Sequence, residues 1–201
     1  KFIHNNTIRK IKNIINNSHP VILTLARLEL RKGHKFVIAA LSRLKEKYPN
    51  FLYIIAGDGP FKKEIVEYAK MLGINDNIRF LGWITEPEKS VLLKSTNLFI
   101  MTPHLDDQSV EGFGMSFIDA AFHSLATIGT DSGGIPDAII DGKTGLIAKT
   151  SDVSDITAKI DELLSNPKKR IALGKAGQNN ALEKFQWGGK VKEYLNLIKI
   201  S

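Results

Sequence analysis

Short apolar runs alternate along the chain with longer segments whose apolar residues recur every three or four positions. The runs Val21–Leu25, Phe51–Ala56, Ile78–Leu81, Leu98–Thr102, Ala126–Thr130 and Gly145–Ala148 predict six strands. Between them, Phe36, Val37, Ala40, Leu41, Leu44 and Tyr48, then Ile65, Ala69 and Leu72, fall at helical spacing. The strand runs are apolar at nearly every position, as expected where helices cover both faces of a parallel sheet. The pattern predicts an α/β protein with a Rossmann-like, doubly wound parallel sheet of about six strands. The last fifty residues read as helices, divided at Pro167 and at Trp187-Gly188-Gly189. No internal repeat or low-complexity tract interrupts the chain, so residues 20–201 read as one domain and residues 1–19 as a leading segment or linker.

Length and composition narrow this little further. A chain of 201 residues, 43% hydrophobic and 24% charged, matches a globular protein and not a disordered, collagen-like or coiled-coil one. No apolar run is long enough to span a bilayer, and the first residues, Lys1-Phe2-Ile3-His4-Asn5-Asn6, lack the apolar stretch of a secretory signal. With no Cys there is neither a disulfide framework nor thiolate chemistry, and the chain reads as cytoplasmic.

Charge is more informative because of its distribution. Residues 1–48 carry 11 Lys/Arg against 2 Glu, whereas no Lys or Arg occurs between Lys94 and Lys143, a stretch holding seven Asp and Glu residues. A nucleic-acid binder would spread cations and aromatics over one continuous face. This polarity suits a small ligand with an anionic end and a hydroxyl-rich end, although a solvated basic face fits the same count.

In an open parallel sheet, ligands bind beyond the carboxyl ends of the strands. The first such loop, Ala26-Arg27-Leu28-Glu29-Leu30-Arg31-Lys32-Gly33, places Arg27 and Lys32 at a strand-to-helix turn that already favours an anion such as a diphosphate; the plain alternative is two solvent-facing cations. The second, Gly57-Asp58-Gly59-Pro60, does not complete a dinucleotide fingerprint, because Lys62 stands where the third glycine belongs. The fourth, Glu111-Gly112-Phe113-Gly114, precedes a predicted helix that carries Asp119 in its second turn, placed to accept hydrogen bonds from a diol such as a ribose. Asp131-Ser132-Gly133-Gly134-Ile135-Pro136-Asp137 repeats the arrangement after the next strand, and Asp141-Gly142-Lys143-Thr144-Gly145 reads as a structural turn.

Taken in order, Arg27-Leu28…Lys32-Gly33, Ala56-Gly57-Asp58-Gly59-Pro60, Glu111-Gly112-Phe113-Gly114…Asp119-Ala120, Gly133-Gly134-Ile135-Pro136 and Asp141-Gly142…Gly145-Leu146 resemble the donor-binding half of the retaining glycosyltransferases of family 4. Those enzymes have two domains in the GT-B fold, and the resemblance covers about Pro20 to Lys199. It implies that this chain is the C-terminal half of such a fold. It implies that Arg27 and Lys32 hold the nucleotide diphosphate and stabilise the leaving group, and that Glu111 lies close to the transferred sugar. Gly112 belongs to the same motif. The amides of Phe113, Gly114 and Met115 would face sugar hydroxyls and phosphate, Asp119 the ribose, and Gly57, Gly82 and Trp83 the nucleotide, with Gly82 and Trp83 near the base.

The implied reaction moves a hexose from a GDP- or UDP-sugar to an acceptor hydroxyl on a glycan or lipid-linked acceptor, with anomeric configuration kept. The run Val110-Glu111-Gly112-Phe113-Gly114 looks most like mannosyl-type members that use a guanosine donor. No metal, cofactor or nucleic-acid partner is implied. Three departures stand out: Asp119 replaces the usual Glu, Ala26 replaces a Gly and Asp137 a Glu, and the family's N-terminal acceptor domain, with its His, has no counterpart here. His4 and His19 read as solvent-facing. The implied partner is therefore an acceptor domain or subunit, through which the enzyme would sit peripherally at the inner face of a membrane. A non-catalytic nucleotide-sugar-binding module, a subunit of a split transferase, and an α/β dehydrogenase-type binder remain as alternatives.

Overall fold

A computed structural model of the chain describes residues 2–16, 18–104 and 114–185. Six strands, β1 (Val21–Leu25), β2 (Leu52–Ala56), β3 (Ile78–Gly82), β4 (Leu98–Ile100), β5 (Thr127–Thr130) and β6 (Leu146–Ala148), form one sheet in the order β3-β2-β1-β4-β5-β6. Every strand pair is parallel. The helices are α1 (Phe2–Ile15), α2 (His34–Arg43), α3 (Lys62–Met71), α4 (Glu86–Ser95), α5 (Met115–Phe122), α6 (Ile135–Ala138), α7 (Val153–Ser165) and α8 (Pro167–Lys184).

Each strand sends alternate residues to opposite faces, and each face has its own core. Ile22, Tyr53, Ile55, Ile100 and Ile128 pack with Val37, Ile38 and Leu41 of α2, Ile65 of α3 and Ile156 and Ile160 of α7. Leu23, Ile54 and Phe99 pack on the other face with Ile11 of α1, Leu92 of α4, and Phe117 and Ile118 of α5. All residues of β1, β2, β4 and β5 are buried, whereas the edge strand β3 is largely half-exposed. Two polar side chains in this core are satisfied by each other: Thr24 Oγ1 and Tyr53 Oη lie 2.8 Å apart, and the Thr24 hydroxyl also meets Ile100 O.

The strands fall where the apolar runs place them, with ends that differ by at most two residues. The leading segment carries a helix of its own. Residues 2–15 are helical, and the side of α1 bearing Ile8, Ile11, Ile14 and Ile15 packs onto the core beneath α4, with Ile11 fully buried. Lys10 Nζ reaches Glu88 at 2.5 Å, where Glu88 also closes a capping box with Thr85 at the start of α4. The Lys10 ammonium and the Thr85 amide together hold the Glu88 carboxyl down to about 2. His19 is exposed, as expected.

The strand order decides where a ligand can sit. The chain moves outward from β1 to β3 on one side, then returns to β4 on the other side of β1. The strand order therefore reverses between β1 and β4, the point at which a parallel sheet of this kind offers a crevice at its carboxyl edge.

Candidate functional site

The loop after β1 is held on three sides. Leu28 is fully buried; its N–H donates to Asp58 O at 3.1 Å and its carbonyl accepts from Phe61 N–H at 3.1 Å. Leu30–Lys32 form a 3-10 turn that ends at Gly33 in the left-handed region, φ +72°. No other residue fits there, because a Cβ on Gly33 would lie 1.8 Å from Thr102 O. Thr102 Oγ1 donates back to Gly33 O at 2.9 Å, and His104 N–H donates to Arg31 O at 2.9 Å. The loop bearing Arg27 and Lys32 is thus tied to the second loop below and to the end of β4 alongside.

His34, the first residue of α2, is 2% exposed, and its Nε2 lies 2.9 Å from Arg27 O. A carbonyl only accepts, so Nε2 carries the proton. Its Nδ1 is buried without a partner. Burial, aided by nearby Lys32 and opposed by the Arg27 carbonyl, lowers its pKa to about 4, so it is neutral at pH 7.

Arg27 is paired within the loop. Its Nη1 lies 3.0 Å from Glu29 Oε1, while Glu29 Oε2 lies 3.0 Å from Arg31 Nε. Arg27 remains the exposed member, with 60% of its side chain accessible against 20% for Glu29 and 22% for Arg31.

Gly57 follows β2 with φ +141°, and a Cβ there would lie 2.0 Å from Ala26 O; its N–H donates to Gly82 O at 2.8 Å. Gly57 therefore lets the second loop lie against the first while it anchors the end of β3. Gly82, φ +65°, has open space where a side chain would stand, and the next residue, Trp83, is 75% exposed. The ends of β1, β2 and β3 are in this way joined into one rim.

Across the crevice, Gly114 caps α5 in the left-handed conformation, φ +69°. Ser116 Oγ in its first turn donates to Leu25 O at 2.9 Å, placing the amino end of α5 beside the end of β1, two residues before Arg27. Phe117 packs edge-on against Phe99 of β4 and fixes the helix to the sheet. Met115 is 66% exposed at this amino end, where the helix dipole favours negative charge.

Asp119, one turn further on, is half-exposed and accepts from Lys89 Nζ of α4 at 3.0 Å. Lys89 also meets Glu86 at 2.9 Å. Burial opposes the ammonium charge, but the Glu86 and Asp119 carboxylates outweigh it and raise the Lys89 pKa above the ordinary lysine value.

Of the residues singled out from the sequence, Arg27, Lys32, Gly57, Trp83, Gly114, Met115 and Asp119 lie on carboxyl-edge loops or in the helical turns that follow them, and Gly82 ends β3. Glu111, Gly112 and Phe113 lie outside the described residues. The sequence reading did not single out Glu29, His34, Lys89, Thr102 or Ser116 for the contacts that position the site. Asp141 and Thr144 are structural as expected: Asp141 Oδ1 accepts from Ile147 N–H and Thr144 Oγ1 from Ile140 N–H, each at 2.8 Å. Among the described residues, no group of three or more His, Asp or Glu side chains could hold a metal ion, and no helix is long and apolar enough to cross a membrane.

Residues 5–180 match the family described as glycosyl transferases group 1. The chain is 31% identical over 182 residues to the GDP-mannose-dependent alpha-(1-6)-phosphatidylinositol monomannoside mannosyltransferase of Mycolicibacterium smegmatis, covering 88% of this chain and 48% of that protein. It is 27% identical over 176 residues to the 2-deoxystreptamine N-acetyl-D-glucosaminyltransferase of Niallia circulans, covering 88% of this chain and 44% of the relative. The chain thus spans about half the length of these relatives. In fold it resembles Anabaena HepE in complex with UDP and glucose, TM-score 0.84 at 19% identity, over 98% of this chain and 53% of that one. It also resembles the C-terminal domain of the group 1 glycosyl transferase LpcC from Francisella tularensis, TM-score 0.77 at 23% identity, over 90% of this chain and 94% of that one. A match across residues 5–180, over a six-stranded parallel sheet, makes this chain a member of the group 1 glycosyl transferases.

Proposed function

We propose that the chain is the donor-binding, C-terminal domain of a retaining glycosyltransferase of family 4 and GT-B architecture. On this reading it transfers a hexose from a nucleoside diphosphate sugar to an acceptor hydroxyl held by an N-terminal domain or subunit. The carrying observation is the pair of anion-attracting elements beside the crevice: the Arg27–Lys32 loop after β1 and the amino end of α5, joined by the Ser116–Leu25 hydrogen bond. The Mycolicibacterium relative, named for GDP-mannose, favours a guanosine donor and a mannosyl group. The HepE complexes with UDP and glucose keep a uridine donor as the alternative. LpcC, whose matched part is a C-terminal domain, supports the placement in the chain.

As the glycosidic bond breaks, negative charge grows on the β-phosphate and positive charge on the sugar ring. Arg27 and Lys32 stand ready for the first without reorganisation, because the loop that bears them is fixed at Thr102, Leu28 and His34. On this reading the N–H groups of Phe113, Gly114 and Met115 donate to sugar hydroxyls and phosphate, Gly112 belongs to the same motif, and Glu111 is assigned to the transferred sugar. Asp119 accepts from ribose hydroxyls, and Trp83, exposed beside open Gly82, belongs to the loop near the base. The leaving phosphate takes the acceptor proton, so Glu111 positions the sugar and forms no covalent bond to it.

The test is calorimetric titration of GDP-mannose, UDP-glucose and NAD, followed by Arg27→Ala and Lys32→Ala. Each substitution should weaken binding of the nucleoside diphosphate by roughly 10- to 150-fold, the value of a hydrogen bond to a charged group, and leave the nucleoside nearly unaffected. Equal losses for both ligands, or preference for NAD, would remove the assignment.

A further inference from the structure

Glu29 is an acid inside a loop assigned to anion binding, where a carboxylate should be unfavourable. Its geometry explains it. The carboxylate gives one oxygen to Arg27 Nη1 and the other to Arg31 Nε, each at 3.0 Å, so it bridges the two guanidiniums. Arg27 keeps donors for a second anion, since a guanidinium carries five N–H groups. Arg31 is the anchored end: its carbonyl accepts from His104 N–H beyond β4, and its side chain is 22% exposed. The Glu29 backbone is also fixed, its N–H donating to Arg27 O at 2.9 Å and its carbonyl accepting from Lys32 N–H at 3.1 Å. Without the carboxylate, Arg27 would lose the ion pair that holds it, and its exposed guanidinium would turn away into water.

We infer that Glu29 is a positioning residue: held by Arg31, it presents the Arg27 guanidinium to the diphosphate before the ligand arrives. The inference rests on the donor-site reading and goes beyond it, because it assigns a role to an acid that would otherwise repel the ligand. Holding a long side chain in advance avoids the cost of ordering it on binding, which corresponds to roughly 2- to 10-fold in affinity.

The experiment is a double-mutant cycle by calorimetry, using whichever of GDP and UDP the chain binds more tightly, with the matching nucleoside as control. Glu29→Gln and Arg31→Gln should each weaken the diphosphate several-fold with no change for the nucleoside. In an Arg27→Ala background neither should have any further effect, which a general structural role could not produce. Thermal melting of each variant shows that the fold is kept. Tighter binding by Glu29→Gln would show that the carboxylate competes with the ligand, and a loss that persists without Arg27 would show direct contact or a structural role; either overturns the inference. If Arg27→Ala itself has no effect on the diphosphate, the donor-site reading fails and not merely this one.

Discussion

His34 couples the stability of the fold to pH through the very loop proposed to hold the diphosphate. The imidazole has an ordinary pKa near 6.5 and about 4 in the folded chain, lowered first by burial. The unfolded chain therefore binds a proton that the folded chain refuses over that interval, so His34 adds stability above pH 6.5 that is lost as pH falls toward 4. Between pH 7 and pH 5 the loss amounts to about 2 kcal/mol, with one pKa unit corresponding to roughly 1.4 kcal/mol. For a chain of this size that is a fall of about 4–8 °C in Tm. The lowered carboxyls of Glu88, Asp131 and Asp161 act in the same direction but below their ordinary values near 4, beneath this window. The comparison that isolates this one group is between the parent chain and His34→Gln, whose amide still donates to Arg27 O. Urea unfolding at pH 7 and pH 5 should show the parent losing about 2 kcal/mol more than the variant. Equal losses, or an imidazole resonance of His34 titrating near pH 6.5, would refute the buried neutral histidine.

Further expectations concern the ligand and the backbone. Asp119→Asn should weaken the nucleoside diphosphate more than its 3′-deoxy analogue, since an amide accepts less well than a carboxylate; equal losses would make Asp119 only the partner of Lys89. Gly33→Ala should cost about 2–5 kcal/mol and lower donor affinity, because it combines left-handed strain with a collision at Thr102 O. Gly142→Ala, at φ +69° in open space, should cost only about 1–2 kcal/mol in the same melting assay. The chain on its own should bind donor yet transfer no sugar, since holding the acceptor in line supplies roughly 7–11 kcal/mol of barrier reduction. Product formed on a defined acceptor by these 201 residues alone would contradict that.

The sheet was legible because strands buried on both faces must be apolar at nearly every position, and Val21–Leu25 and Leu52–Ala56 are. Helix α1 carried a signal that a linker reading overlooks: Ile8, Ile11 and Ile15 recur at helical spacing. Thr102 shows a different limit. It extends an apolar run and so looks like strand, yet it lies beyond β4 and its hydroxyl fastens Gly33, 69 positions earlier in the chain. The pairing of Lys89 with Asp119 is equally hidden, because it depends on α4 and α5 lying side by side, which spacing along the chain does not encode. Arg27 and Lys32 were conspicuous as cations in an anion-favouring turn. Glu29 between them had no meaning until the two arginines were seen to share its oxygens.

The fastening of Gly33 and Arg31 to Thr102 and His104 makes the first loop part of the same cooperative unit as the central strands. For its amides to exchange with solvent deuterium, contacts at the ends of both β1 and β4 must open, so Gly33 and His104 should be protected to nearly the depth of the core and not at the shallow level usual for surface loops. Donor binding would then add little to their protection, because there is little local fluctuation to suppress. A substitution deep in the sheet, such as one at Phe99, would instead reach the ligand by raising the population of opened chains, lowering apparent affinity without touching any contact.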